Sequence, residues 1–293
     1  MFWLYLILGI LVGAVALYYL INLIVAYFSL HPPARVPIYL SPGQLGLPQE
    51  IVDIKCDGNN LRGWWVPAED PKLVVICLHG YIMNRCELVP MAPFFMEDNI
   101  SSLHMDQRGQ GSSSGRTVTF GRQEKHDVLA MIDWVKERRP GVPIVLFGSS
   151  MGAASCVFAA AERPGDVHAL ILDGVYRDLE SAGKGWWMMV GGKALNDFLR
   201  PTVKLGAFLQ GIKARDLSVE KDLLKLAGKP MLFLYGTHDP IVPKSEIEKN
   251  LTAAGSCASV EWFEGSGHGH GRFKEPYRYQ KIVMGFLNSL LDQ

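Results

Sequence analysis

The first thirty positions, MFWLYLILGILVGAVALYYLINLIVAYFSL, carry no Asp, Glu, Lys or Arg. A helix needs about 20 apolar residues to cross a bilayer, so residues 1–30 are expected to form a single transmembrane anchor. A cleaved signal peptide fits less well, because no Lys or Arg precedes the apolar run and the run continues well past Ala14-Val15-Ala16. A buried core helix apolar on all sides would need protein all round it. Trp3, Tyr5, Tyr18, Tyr19 and Tyr27 include residues suited to the interfacial belts of such a span. The next segment, HPPARVP, opens a linker over residues 31–47 and reads as a stiff, extended spacer. Arg35 is the sole basic residue close to the anchor, and the positive-inside rule then leans towards a cytoplasmic body.

From residue 48 onward the pattern becomes that of a globular domain. EIVDIKC and LRGWWVP alternate around Asp57-Gly58-Asn59-Asn60, which predicts a hairpin. Short apolar runs follow at wide spacing, at residues 73–78, 100–105, 143–147, 169–173, 230–235 and 259–263. Helical periodicity fills the gaps. In EKHDVLAMIDWVKERR, Val128, Met131, Ile132 and Val135 recur at i, i+3, i+4 and i+7, and EPYRYQKIVMGFLNSLL repeats the pattern at the end. Strands alternating with helices predict a mostly parallel sheet covered on both faces.

The bulk numbers narrow the function. The 293 residues are 48% hydrophobic and 20% charged, which suits one folded domain. Lys plus Arg balances Asp plus Glu, so no overall field draws the chain to nucleic acid. The cysteines, Cys56, Cys77, Cys86, Cys156 and Cys257, are odd in number and contain no CxxC pair, so neither a disulfide framework nor a zinc site is expected. The run GQGSSSG lacks the spacing of a dinucleotide fingerprint. No cofactor and no metal are expected.

One stretch carries chemistry. In PIVLFGSSMGAASCVFAAAE a strand pattern runs into Gly148-Ser149-Ser150-Met151-Gly152 and then into a helix pattern. This is G-x-S-x-G in its strand, turn, helix setting, where the glycines permit a turn so sharp that Ser150 projects from it. A serine hydroxyl needs a base, itself oriented by a carboxylate. FLYGTHDPIVP leaves one strand run with Asp239, and WFEGSGHGHG leaves the last with His268. Asp173 also ends a strand run, and His270 lies two residues beyond His268; both stay open as alternatives. Asp106 and Arg108 are expected to brace the loop after the fourth strand, with Glu124 and Asp127 at a helix start. His104, His126, His168 and His238 have no partner pattern.

With LHGY, DQRGQGSS, GSSMG, GTHDPIVP and GSGHG in this order, residues 48–293 resemble the α/β-hydrolase superfamily, in its esterase, lysophospholipase, thioesterase and serine-aminopeptidase branch. The resemblance implies an α/β-hydrolase fold, a mostly parallel central sheet with helices on both faces, and a small helical cap at about 175–229. It implies a triad of Ser150, Asp239 and His268. The backbone N–H groups of Tyr81 and Met151 would form the oxyanion hole, with His79 bracing that loop. It favours Asp239 over Asp173 and His268 over His270. His79-Gly80-Tyr81 departs from the H-G-G-G of the hormone-sensitive-lipase-like branch.

Trp186, Trp187, Met188 and Met189 fall in the expected cap, where they would line an acyl site, rest on lipid or pack the cap onto the core. The reading is a membrane-anchored serine hydrolase for a carboxylic ester or thioester, with a small-molecule or lipid-like acyl substrate. An acyltransferase using the same residues and a silent scaffold with the same fold are the alternatives.

Overall fold

The computed structural model describes residues 1–33 and 35–292. Ala34, in the expected spacer, and Gln293, the last residue of the expected body, lie outside the described residues. In chain order the elements begin with helix α1 (Phe2–Leu30), strands β1 (Glu50–Cys56), β2 (Asn59–Val66) and β3 (Leu73–Leu78), and helix α2 (Ala92–Glu97). Then come β4 (Ile100–Met105), α3 (Glu124–Arg138), β5 (Ile144–Ser149), α4 (Met151–Glu162) and β6 (Ala169–Asp173). Helices α5 (Leu179–Leu199), α6 (Pro201–Leu209) and α7 (Val219–Leu223) follow without an intervening strand. The chain closes with β7 (Met231–Gly236), α8 (Lys244–Ala254), β8 (Ala258–Phe263), α9 (Gly271–Lys274) and α10 (Pro276–Ser289).

The six spaced apolar runs become the six parallel strands of one eight-stranded sheet, ordered β1-β2-β4-β3-β5-β6-β7-β8. The first hairpin pairs antiparallel with this sheet through β2 and β4. Its turn is tighter than the four residues expected, because Asp57 and Gly58 both take positive φ and β2 begins at Asn59. Strand β3 shows why the runs are apolar throughout. Val74, Ile76 and Leu78 join Val128 and Met131 of α3 and Val157 of α4 in one core. Leu73, Val75 and Cys77 join Phe95 of α2 and Val283 and Leu287 of α10 in the other. Each such side chain contributes roughly 1.5–3 kcal/mol when fully buried, so a sheet covered on both faces has no use for alternating polar positions.

Helix α1 has two regimes. Residues Phe2–Leu17 are exposed on every side, whereas Tyr18, Asn22, Val25, Ala26, Ser29 and Leu30 form a stripe packed on the body. Spacing of four, three, one, three and one is one face of a helix. The stripe rests on α6, which runs alongside in the same sense: Thr202 Oγ1 donates to Asn22 Oδ1 at 3.0 Å, and a Cβ on Gly206 would sit 4.0 Å from that of Ala26. Asn22 Nδ2 also donates to the Phe198 carbonyl at 3.3 Å. Helix α5 is broken at Gly191 and Gly192, whose backbone angles are not helical.

His104, unpartnered in the sequence, is fully buried on β4, with Nε2 3.0 Å from Ser102 Oγ. Burial disfavours its cation and holds its pKa down to about 3. Below about pH 6.5 an unfolded chain takes up a proton at this site that the folded chain refuses, so stability falls as pH drops from there. Urea unfolding at pH 7 and pH 5 should show a wild-type loss about 2 kcal/mol larger than that of His104→Gln; equal losses would refute a neutral buried imidazole.

Candidate active site

Strand β5 ends at Ser149 and α4 starts at Met151, so Ser150 alone makes the turn, with φ 50° and ψ −111°. A non-glycine residue at positive φ is strained. What makes the flanking glycines necessary is space, since neither has positive φ. A Cβ on Gly148 would lie 2.4 Å from the Ala153 backbone, and one on Gly152 2.5 Å from the Leu78 carbonyl oxygen. Ser150 N–H is tied to the Asp173 carbonyl at 2.7 Å.

The loops after β7 and β8 bring Asp239 and His268 to this turn. Asp239 Oδ1 accepts the Ile241 and Val242 N–H groups at 2.8 and 3.0 Å, which leaves Oδ2 aimed at His268 Nδ1, 2.7 Å away. His268 Nε2 lies 2.8 Å from Ser150 Oγ. The acid is buried and the imidazole nearly so. Gly174, at positive φ, sits against the ring, where a Cβ would come 3.0 Å from Cε1. The two alternatives stand elsewhere. Asp173 Oδ2 is taken up by Tyr279 Oη at 2.8 Å and Arg272 Nη1 at 3.1 Å. The His270 ring packs edge-on against Phe273 at 6.0 Å.

Beside Ser150 runs the His79-Gly80-Tyr81 loop, with a Cβ on Gly80 only 3.5 Å from Ser150 Cβ. His79 braces it: Gln107 N–H donates to His79 Nε2 at 3.0 Å and Gln107 Nε2 to the His79 carbonyl at 2.6 Å. Asp106 accepts from the Arg85 and Ser112 N–H groups, and Arg108 pairs with Asp127 and Asp57, so the loop after β4 is held as well. Gly80 N–H donates to Glu87 Oε2 at 2.6 Å and Ile82 N–H to Gln110 Oε1 at 2.7 Å. Among the described residues the N–H groups of Tyr81 and Met151 are engaged by no protein acceptor. Tyr81 Oη donates to the carbonyl of Ser29, in the last turn of α1, at 2.8 Å.

Glu87 and Arg272 escape a reading of the sequence, yet they tie this neighbourhood together. Arg272 pairs with Glu87 through Nη2 and with Asp173 through Nη1 at 3.1 Å, and Nη1 lies 3.3 Å from Ser149 Oγ. Ser149 Oγ in turn donates to Glu87 Oε1 at 2.9 Å. Burial alone would raise the Glu87 pKa, but the guanidinium and the Gly80 N–H outweigh it and hold the carboxyl below its usual range. For Asp173 burial wins and its pKa is raised. The two acids are 86 residues apart and Arg272 a further 99 along, without a motif to join them.

Above Ser150 opens a largely apolar cavity of about 540 Å³. Trp186, Trp187, Val203 and Ala207 from α5 and α6 form one side. Met188 and Met189 point elsewhere and are exposed, so the four cap residues singled out in the sequence divide in two. Val25, Ala26, Phe28, Ser29 and Leu30 of α1 form another wall.

Comparison with known proteins agrees with this architecture. Residues 69–224 match the family described as serine aminopeptidase, S33. Human monoglyceride lipase is 29% identical over 168 residues, 56% of this chain and 54% of the human enzyme. The Pyrococcus furiosus esterase Pf2001 superposes with a TM-score of 0.73 at 22% identity, over 88% of this chain and 97% of its own. A membrane phospholipase A, described as a bacterial virulence factor, superposes with a TM-score of 0.66 at 19% identity, over 100% of this chain and 99% of its own. The matched span, the sheet order and the strand-borne turn lead to one conclusion: the chain belongs to the serine aminopeptidase S33 family and is an α/β-hydrolase enzyme.

Proposed function

We propose that this enzyme is a membrane-anchored serine hydrolase that cleaves the carboxylic ester of an amphiphilic acyl substrate. The observation that carries the reading is the chain of contacts from Asp239 through His268 to Ser150, 2.7 and 2.8 Å, on the floor of an apolar cavity. His268 Nε2 takes the proton of Ser150 Oγ as the oxygen attacks the ester carbonyl. Asp239, held by two N–H groups, keeps the other ring nitrogen protonated and stabilises the imidazolium. The Tyr81 and Met151 N–H groups receive the oxyanion, with Met151 at the N-terminus of α4, where negative charge is favoured. His268 returns the proton to the leaving alkoxide. Water, deprotonated by the same ring, then releases the acyl group and restores Ser150.

The substrate class follows from the walls. A cavity faced by Trp186, Trp187 and the last turns of a 29-residue apolar helix favours an acyl chain over a polar acyl group. The kinship with monoglyceride lipase and an esterase supports an ester. The apolar length of α1 supports an anchor that crosses the membrane once.

In this reading Glu87 and Arg272 are positioning residues. Glu87 holds the Gly80 N–H, which turns the neighbouring Tyr81 N–H towards the oxyanion, and Arg272 joins Glu87 to the strand end that holds Ser150 N–H.

Fluorophosphonate labelling of detergent-solubilised protein and p-nitrophenyl esters of increasing acyl length test the proposal. Wild type should label, Ser150→Ala should not, and turnover of the variant should fall about 10^4-fold or more; labelling that survives in Ser150→Ala would overturn the assignment. Trp186→Ala should lower kcat/KM for a long acyl ester at least fivefold relative to a butyrate ester. Glu87→Ala should lower kcat by about 100- to 1000-fold, the cost of losing one oxyanion donor, with KM within twofold, whereas a change confined to KM would exclude positioning. Arg272→Met leaves two buried carboxylates without their cation and should cost about 3–5 kcal/mol in urea unfolding.

A further inference from the structure

Helix α1 does not hand over cleanly from membrane to domain. The part that stands clear of the body, Phe2–Leu17, measures about 24 Å at 1.5 Å per residue, short of the hydrocarbon core of about 30 Å. The part docked on the body remains apolar on its outer side: Tyr19, Leu20, Leu23, Ile24 and Tyr27 are exposed there. Water is a poor solvent for such a face, and the bilayer that accepts the free part has to rise along the docked part to cover it. The cap rises beside it. Phe198, 43% exposed, touches Tyr18 at 5.2 Å between ring centroids, and Thr202 and Gly206 of α6 lie level with Asn22 and Ala26. The outer face of the same helix carries Arg200, Lys204 and Phe208, one turn apart, all exposed and Phe208 75% so. Among the described residues neither Arg200 nor Lys204 has an acidic partner within salt-bridge distance. Cations interleaved with an aromatic ring are the composition of a helix at the headgroup layer.

We propose that the cap face formed by Phe198 and the outer side of α6 is a membrane-docking surface, seated in the headgroup layer of the bilayer that α1 crosses. This rests on the anchor reading above and adds to it. An anchor alone would let the body stand off on its linker. Docking instead sets the cavity wall at Val25 to Leu30 a few ångströms above the hydrocarbon, so that an acyl ester enters from the leaflet rather than from water. Phe198, level with Tyr18, lies deepest, among the glycerol backbones, Arg200 and Lys204 meet lipid phosphates above it, and Phe208 lies among the outer headgroups.

Depth-dependent quenching tests it. Single cysteines at Val12→Cys, Phe198→Cys, Phe208→Cys and Glu137→Cys, in a Cys56→Ser, Cys257→Ser background, are labelled with bimane. The full-length protein is placed in phosphatidylcholine and phosphatidylglycerol nanodiscs that contain doxyl lipids. Glu137 lies in the last turn of α3 beside Arg138, which pairs with Glu50 at the start of β1, the sheet edge opposite Ser150, and serves as the outside reference. The expected result is strong quenching at position 12 by deep doxyl groups and at least twofold quenching at positions 198 and 208 by shallow ones, with none at 137. Quenching at 12 with none at 198 and 208 would overturn the docking surface and leave the anchor standing. The same pattern with cross-links between copies through 198 or 208 would assign the face to a second copy of the chain. No quenching at position 12 would overturn the anchor and the docking surface together.

Discussion

One guanidinium lies beneath the whole candidate site. Arg272 reaches Glu87 on one side and Asp173 on the other, and each acid governs one half of what surrounds Ser150. Glu87 takes the Gly80 N–H of the loop after β3, while the Asp173 backbone takes the Ser150 N–H of the turn after β5. The two loops come from adjacent strands, but nothing in the ladder between those strands fixes their relative position beyond Leu78 and Gly148. A pair of buried acids without their cation would repel one another in a low-dielectric interior and prise the loops apart. The price of burying three ionised groups is therefore bound up with holding a strained serine against its neighbours.

The cavity above this base is assembled from three parts of the chain that are distant in sequence: the end of α1, the loops at the strand ends, and α5 with α6. They meet through few polar contacts. The Asn22 side chain joins α1 to the cap, and the Ser29 backbone carbonyl joins it to Tyr81. Asn22 is a polar side chain within a largely apolar helix, and in a low-dielectric setting such a group is costly unless paired. Its partners are the Phe198 carbonyl and Thr202, while the Ser29 carbonyl is taken by the loop next to Ser150, so the helix is keyed to the enzyme at two heights.

How far the sequence anticipates this depends on the range of the interactions concerned. The sheet was legible because each parallel strand is a short apolar run with turn residues beside it, and the ends of β3, β4 and β6 fall at the expected residues. The turn at Ser150 was legible because its tightness demands glycine on both sides, although the demand comes from contact with Ala153 and Leu78 rather than from backbone angle. Asp239 and His268 meet Ser150 as their order along the chain suggests. Glu87 and Arg272 were invisible because a buried ion pair 185 residues apart leaves no local pattern. Asn22 did leave a mark, as a polar interruption four positions from Ala26, but apolar length dominates the reading of such a run, and the Ser29 contact leaves none because the backbone makes it. Met188 and Met189 look like Trp186 and Trp187 in composition and differ only in the side of α5 they occupy.

The docking of Ser29 and Leu30 against the cavity changes what it means to call the first helix a tether. A tether can be cut without altering what it holds. Here the chain beyond residue 30 inherits a cavity with one side missing and a Tyr81 hydroxyl without its acceptor. A soluble form made by trimming the helix is then a different catalyst rather than a more convenient preparation of the same one, and the selectivity measured on it would describe an opened cleft.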